Sequence, residues 1–423
     1  MRANRRRMRT MKLLFVLAPL LLISCHGVGV SPPAPVGLLS NVSPPDIVQQ
    51  NDGSQFIMAD PISCCVTSLI AGPSGTVWYS DSPDNLLGRI DMERRVLTFP
   101  MPEGLRAEFM TVGPSNLLWV TTIGESLPEA ILRVSHFGGA TSLHARCVSG
   151  TFNNIIEGSD GKVWVGVEQP IVLRMDLNGG STCFPTTGFT ETVAAGPDGN
   201  VWFTEATSTG GTLIGKMTTS GSLTEYPDPN TCRSSLVGAG DGFLYAKCST
   251  GLVRISPSDG HEEVVSSVQP YSNLASAGTG DNAVLYYSVL PNHLRIRHLA
   301  TGVVDDDDLP SGQHKPTNVA AGPDGNLWYF SSGSGIGVDV LRILTASPQS
   351  LTLSVGQTQT VTASETNAPS KPMAARALNE RVATVVAGQS RGEFDVTGQA
   401  AGSTRIRITD QNRNHIEVSV TVH

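Results

Sequence analysis

The stretch VAAGPDGNVWF (Val193 to Phe203) returns almost unchanged as VAAGPDGNLWY (Val319 to Tyr329). Weaker copies are LIAGPSGTVWY from Leu69, MTVGPSNLLWV from Met110 and IIEGSDGKVWV from Ile155. Two more, LVGAGDGFLY and SAGTGDNAVLY, end on Tyr245 and Tyr286. The anchors Trp78, Trp119, Trp164, Trp202, Tyr245, Tyr286 and Trp328 are spaced by 41, 45, 38, 43, 41 and 42 residues. A period of ~40–45 built from apolar strand, turn and apolar strand is the signature of a radial β-repeat. The chain therefore reads as all-β, with a seven-bladed β-propeller over residues 54–345.

Within one copy, Val193 to Ala195 reads as the inner strand, with Gly196 to Gly199 as the turn and Val201 to Glu205 as the second strand. Leu213 to Thr218 follows as the third strand and Ser222 to Tyr226 as the fourth. The aromatic anchor on each second strand is placed to pack between neighbouring sheets. The last copy has a third strand over Val338 to Leu344 but no fourth. Gln55 to Pro61 resembles the fourth-strand ending, and pairing it there would close the ring and cover an open edge.

The first residues carry Arg2, Arg5, Arg6, Arg7, Arg9 and Lys12, then an apolar run from Leu13 to Ile23. Such a run is too short for a bilayer span, which needs ~20 residues, and fits an export signal. Leu22-Ile23-Ser24-Cys25 resembles a bacterial lipobox, so residues 1–24 are expected to be removed and Cys25 lipidated. Membrane attachment through Cys25 would place the protein in the cell envelope, on its periplasmic or surface face. Residues 25–53, rich in Gly, Pro and Ser, read as a flexible tether. Losing the signal takes the formal net charge from −8 to about −14, which argues against nucleic acid as a partner.

Setting Cys25 aside leaves six of the seven cysteines in an exported chain, where disulfides are the default. Cys232 and Cys248 flank one strand pair and are expected to bridge. Cys64, Cys65, Cys147 and Cys183 have no assigned partners. No His/Cys spacing of a zinc site occurs, and no metal ligands are assigned.

From residue 346 to 423 the repeat gives way to short alternating strands: SLTLSVGQTQTVTASE, RVATVV, FDVTGQAAGSTRIRITD and IEVSVTV. These predict a small β-sandwich, and their wording resembles bacterial Ig-like group 2 domains. The propeller unit, GPDGNxWFTE followed by IGxxTxxGxLTEYP, resembles the repeat of the virginiamycin B lyase family and, more loosely, NHL-type propellers.

That resemblance implies a seven-bladed propeller and a C–O lyase that opens a cyclic depsipeptide antibiotic. It also implies a histidine base and a Mg²⁺ held just before the inner strands of blades 1, 6 and 7. Here those stretches are Thr67-Ser68-Leu69, Pro270-Tyr271-Ser272-Asn273-Leu274 and Lys315-Pro316-Thr317-Asn318-Val319. Tyr271 stands where a base would be, Lys315 and Thr317 replace a glutamate and a histidine, and His314 lies three residues out of register.

The residues left at that face are Thr67, Ser68, Asn153, Asn154, Ser234, Ser235, Ser272, Asn273, Thr317 and Asn318, with the carboxylates Glu108 and Glu191. Glu205 and Asp81 end second strands on the same side. This polar ring is read as the binding site for a polar small ligand, a glycan or an envelope protein, with no catalytic residue and no cofactor assigned. The alternatives are a Mg²⁺-dependent lyase of the streptogramin type, or a structural or adhesive platform. Asp305 to Asp308 reads as a solvated turn, since it lacks the spaced ligands of a calcium loop.

Overall fold

The computed structural model describes strands 46–49 and 55–58, then residues 66–124, 129–148, 150–309, 315–331, 335–339, 344–365, 373–409 and 415–423. The expected signal, the expected lipidation site Cys25, the pair Cys64 and Cys65, and His314 lie outside the described residues. Within them the architecture is all-β, with only short 3₁₀ turns between strands.

Seven antiparallel sheets of the repeat succeed one another, followed by two further sheets. Six of the seven run in simple chain order, as in Phe189–Ala195, Val201–Ala206, Thr212–Met217 and Leu223–Pro227. The inner strands are neighbours in sequence order, and Pro316–Ala321 of the seventh sheet lies beside Val66–Gly72 of the first. The ring is thus closed. Asn318 Nδ2 donates to Val66 O at 2.7 Å across that junction.

Closure also uses the N-terminal strand. Gln55–Met58 pairs antiparallel with Gly335–Asp339, Gln55 opposite Val338, and so supplies the fourth strand of the seventh sheet. Two boundaries differ from the sequence reading. Asp46–Gln49 adds a fifth strand to that sheet, inside the stretch read as tether. The third strand is Gly335–Asp339, because its five buried residues face the Trp328 strand, whereas Leu344–Ser347 opens the following domain.

The repeated words GPDGNxW have a physical reason at the turn end of each sheet. Asp198 Oδ1 accepts the Trp202 indole N–H at 3.0 Å, and Asp324 does the same for Trp328 at 3.0 Å. Asp160 serves Trp164, and Asp241 accepts the Tyr245 hydroxyl. Each fully buried ring therefore keeps its polar atom satisfied, as burial of Trp and Tyr requires. Gly196 must lack a side chain, since a Cβ there would lie 2.4 Å from the Trp202 ring, and Gly199 takes φ 77°. In the first sheet Thr76 Oγ1 takes over as acceptor for Trp78. The second sheet has Leu117 at that place, and Trp119 Nε1 is left without a partner.

The last two sheets, Leu344–Ser347 with three partners and Ser350–Leu353 with three partners, form a sandwich. They close on one apolar core that includes Val361, Phe394, Val396, Ile406, Ile408, Val418 and Val420.

Among the described residues there are two disulfides. Cys232 lies directly opposite Cys248 in register and bridges to it, as the strand pairing leads one to expect. Cys147 bridges to Cys183 and ties the outer region of the second sheet to the outer strand Ser181–Pro185 of the third. The aspartate run is no turn: Val304–Asp308 is the outer strand of the sixth sheet. Arg295 and His298 on the facing strand bind Asp306 (2.7 Å) and Asp305 (3.1 Å), and these partners permit the carboxylates to enter a sheet.

Candidate functional site

At the ring end opposite the tryptophan turns, the inner strands are irregular. The pairing of inner and second strands slips between Val66 and Ser68, Ala107 and Met110, and Phe152 and Ile155. It slips again between Thr190 and Thr192, Cys232 and Ser235, and Pro316 and Asn318. A β-bulge frees one or two residues from the ladder and re-aims their side chains. The sixth sheet replaces the bulge with serine contacts: Ser272 N donates to Ser288 Oγ, and Ser288 N to Ser272 Oγ. Thr67, Glu108, Asn153, Asn154, Glu191, Ser234 and Thr317 all lie in these interruptions, with Ser68, Ser272, Asn273 and Asn318 beside them. The positions singled out in the sequence therefore share one rim, Glu205 and Asp81 excepted.

The structure divides that rim by what each side chain is already doing. Asn154 Nδ2 donates to Thr192 Oγ1 and Val193 O, both at 3.1 Å, in the next sheet. Asn153 Nδ2 reaches Thr190 O at 2.7 Å. Asn273 uses both ends of its amide on Val319, donating to its carbonyl at 2.9 Å and accepting its N–H at 2.8 Å. Thr67 Oγ1 donates to Glu108 O at 3.1 Å and meets Ser80 Oγ at 2.7 Å. Ser68 is buried, and its N–H donates to the same Ser80 hydroxyl. Ser235 Oγ accepts Leu274 N–H from the sixth sheet. These small polar residues latch one sheet to the next.

The charged residues of the rim are different. Glu191 in the fourth sheet's bulge pairs with Arg233 in the fifth's, Arg233 Nε lying 3.1 and 3.0 Å from the two carboxylate oxygens. The pair is partly open to solvent, with side chains 47% and 25% exposed for Arg233 and Glu191. Lys247, opposite Ser235, donates to Tyr271 O at 2.7 Å, and burial lowers its pKa. Glu108 lies on the far side of the ring; burial raises its pKa, Arg106 opposes the shift and Glu129 adds to it. Glu129 is itself raised by burial, against hydrogen bonds from Thr151 and Phe152. One arc of the rim thus carries the Glu191–Arg233 pair and Lys247, and another the carboxyls Glu108 and Glu129.

Glu205 does not join the rim. Its side chain is fully buried, and Oε2 accepts Gly188 N–H at 2.6 Å from the segment that crosses from the third sheet to the fourth. Burial, reinforced by Glu225, pushes its carboxyl up to about 7. Asp81, its counterpart in the first sheet, accepts Asp84 N–H and serves a local turn.

Arg233, Lys247 and Glu129 escaped the sequence reading, which sought small polar residues and carboxylates ahead of each inner strand. Arg233 was within reach of it, because Cys232-Arg233 stands one repeat after Thr190-Glu191.

Residues 46–240 match the model of the Virginiamycin B lyase family. Just under half of the chain is thus similar to that family. A streptogramin B lyase structure is similar at 18% identity and TM-score 0.56, covering 67% of this chain and 96% of that one. A catalytically inactive virginiamycin B lyase from Staphylococcus aureus with quinupristin is similar at 17% identity and TM-score 0.57, over 68% and 99% of the two chains. No curated protein matches the chain. At these identities the likeness extends to the fold.

The Mg²⁺ that the lyase-like resemblance implies does not fit the residues present. Lys315 brings a cation to the seventh-sheet position, Thr317 offers a hydroxyl, and the Asn273 amide is spent on Val319. A hard divalent ion needs carboxylate or carbonyl oxygens free to turn toward it. At the base position Tyr271 is tied through its backbone, donating its N–H to Ser288 O and accepting Lys247 at its carbonyl.

Proposed function

We propose that this is an envelope lipoprotein, anchored through Cys25, whose virginiamycin B lyase-like propeller binds a polar ligand across the bulged rim. The carrying observation is the split of that rim. The asparagines and serines are consumed as latches between sheets, while Glu191, Arg233 and Glu108 stand in bulges with their charges at the ring end. A bidentate Arg–carboxylate pair at a partly open site is a ready receptor for a ligand carboxylate, since the arginine fork can exchange one carboxylate for another. The ligand class is therefore a sugar acid, an acidic peptide or an acidic segment of an envelope protein. The C-terminal sandwich is read as an Ig-like spacer, and the two disulfides suit an exported chain.

The test is binding of acidic glycans and peptides to the full chain by calorimetry, with neutral analogues as controls. Saturable binding of the acidic members that is lost in Arg233→Ala supports the reading. Equal binding of neutral and acidic members contradicts it. Incubation with a streptogramin B depsipeptide and Mg²⁺ separates the enzyme reading: linear product above the uncatalysed rate would replace the binder by a lyase.

A further inference from the structure

The crossing from the fourth sheet to the fifth holds two carboxyl groups that the rim does not use. Asp228 follows the outer strand Leu223–Pro227, and Glu262 opens the outer strand Glu262–Ser266 of the next sheet. Asp228 is 8% exposed; its Oδ2 accepts Cys232 N–H at 2.7 Å, while its Oδ1 is shielded from solvent and receives no donor. Glu262 repeats the pattern. Its Oε2 accepts Asn230 Nδ2 at 2.6 Å, and its Oε1 is buried without a donor.

These two acids and Cys232 each offer an atom within 4.8 Å of the others. Cys232 Sγ is spent in the disulfide with Cys248 and offers no thiolate, which removes the soft ligand that zinc would favour. Among the described residues, neither acid has a Lys or Arg in an ion pair with it. Two largely shielded carboxyls this near one another need a cation or a shared proton between them, because an unpaired buried carboxylate is strongly destabilising.

Around them the crossing is rigid and rich in oxygen. Asn230 Oδ1 accepts Thr250 Oγ1 at 2.8 Å, and the Asn230 carbonyl accepts Ser249 Oγ at 2.8 Å. Ser249 N–H lies 3.1 Å from both the Asn230 and Thr231 carbonyls, so the crossing loop is fastened to the hairpin of the fifth sheet.

We propose that Asp228 Oδ1 and Glu262 Oε1 hold a divalent cation of the calcium type, which staples the crossing to the outer strand of the fifth sheet. Calcium takes oxygen ligands at ~2.3–2.6 Å in flexible geometry, so two carboxyls that each bring an oxygen within 4.8 Å of the other can flank one ion. Water and loop carbonyls complete the shell. The site lies outside the bulged rim and is independent of the binding reading above.

The test is thermal unfolding of the full chain with its disulfides intact, at one fixed alkaline pH, with EDTA, Mg²⁺ or Ca²⁺. Calcium on the order of 10 mM, above the ~10⁻⁴–10⁻³ M range of extracellular modules, is expected to raise the Tm by about 5 °C over EDTA. Mg²⁺ is expected to raise it less. Titration calorimetry is expected to give one Ca²⁺ per chain. Glu262→Gln keeps an acceptor for Asn230 and gives Asp228 an N–H, so it is expected to fold, to stabilise the metal-free chain and to lose the calcium increment. Asp228→Asn is expected to lose the increment as well, whereas Glu205→Gln, whose carboxyl accepts Gly188 N–H from the preceding crossing, is expected to retain it. The proposal is overturned if calcium leaves the wild-type Tm unchanged, or if the increment survives in both variants. Should Glu262→Gln stabilise a chain that ignores calcium, a shared proton holds the pair together and the cation site falls.

Discussion

The two ends of the propeller ring obey different rules. At the turn end the same contact is made in sheet after sheet: an aspartate oxygen accepts the indole of Trp164, Trp202 and Trp328, and Tyr245 finds Asp241. At the bulge end the backbone irregularity repeats but the side chains do not: threonine, glutamate, asparagine, glutamate and arginine follow one another. Repetition marks what every sheet needs in order to pack. Variation on a constant backbone marks positions that packing between sheets does not dictate, and binding chemistry can be written there without disturbing the scaffold.

The sharpest break in this comparison comes at the turn end. Trp202→Ala empties a fully buried site beside Ile214, Leu236 and Ala246, and is expected to cost about 4 kcal/mol in denaturant unfolding. Conversion of Arg233 to alanine at the other end is expected to cost under about 1 kcal/mol, since the pair is solvent-exposed. If the two losses are equal, the division of labour between the ends is wrong.

Next in size is a pH effect from the crossing between the third and fourth sheets. The Glu205 carboxyl is raised by burial from 4.5 to about 7, with Glu225 adding to the shift. A group whose folded pKa is raised contributes its stability in full below the unfolded value and loses it as pH climbs through the folded value. Stability is therefore expected to fall by up to about 3 kcal/mol between pH 4.5 and pH 7.5 from this group. Glu205→Gln is expected to flatten that slope, measured as the denaturant midpoint against pH. An unchanged slope in the variant would show that the group titrates normally.

A smaller effect is expected at the latches. Asn273→Ala strips two hydrogen bonds from the Val319 backbone and is expected to lower stability by about 2 kcal/mol, with ligand binding intact below the new Tm. Loss of binding without loss of stability would move Asn273 from the scaffold to the site. The smallest expected effect is a repair. Leu117→Thr would give Trp119 Nε1 the acceptor that Thr76 gives Trp78, changing stability by about 1 kcal/mol or less. It weighs the indole hydrogen bond against the apolar packing of Leu117.

How much of this was legible beforehand follows the same division. The strands, the closing role of Gln55–Met58 and the Cys232–Cys248 bridge could be read from the repeat, because each position has a counterpart one period away. Asp46–Gln49 has none and reads as tether in the sequence. Cys147 and Cys183 lie on outer regions of adjacent sheets, where spacing varies, so their pairing was beyond reach. The aspartate run looked like a turn because its partners Arg295 and His298 are a strand away. The repeat places these positions at one end of the ring, but not the contacts each side chain makes there. An asparagine that latches and one that binds look the same in a sequence, and only the partner at 2.9 Å distinguishes them.

The central claim is that the Glu191–Arg233 bulges receive ligand while the neighbouring amides hold the ring. The most direct measurement is the affinity of an acidic ligand identified by calorimetry, compared between wild type and the double variant Glu191→Ala, Arg233→Ala. The account predicts at least a tenfold loss of affinity, on the order of 1.4 kcal/mol, with the Tm within about 2 °C of wild type. Unchanged affinity, or a loss that appears only together with a collapse in Tm, would contradict it.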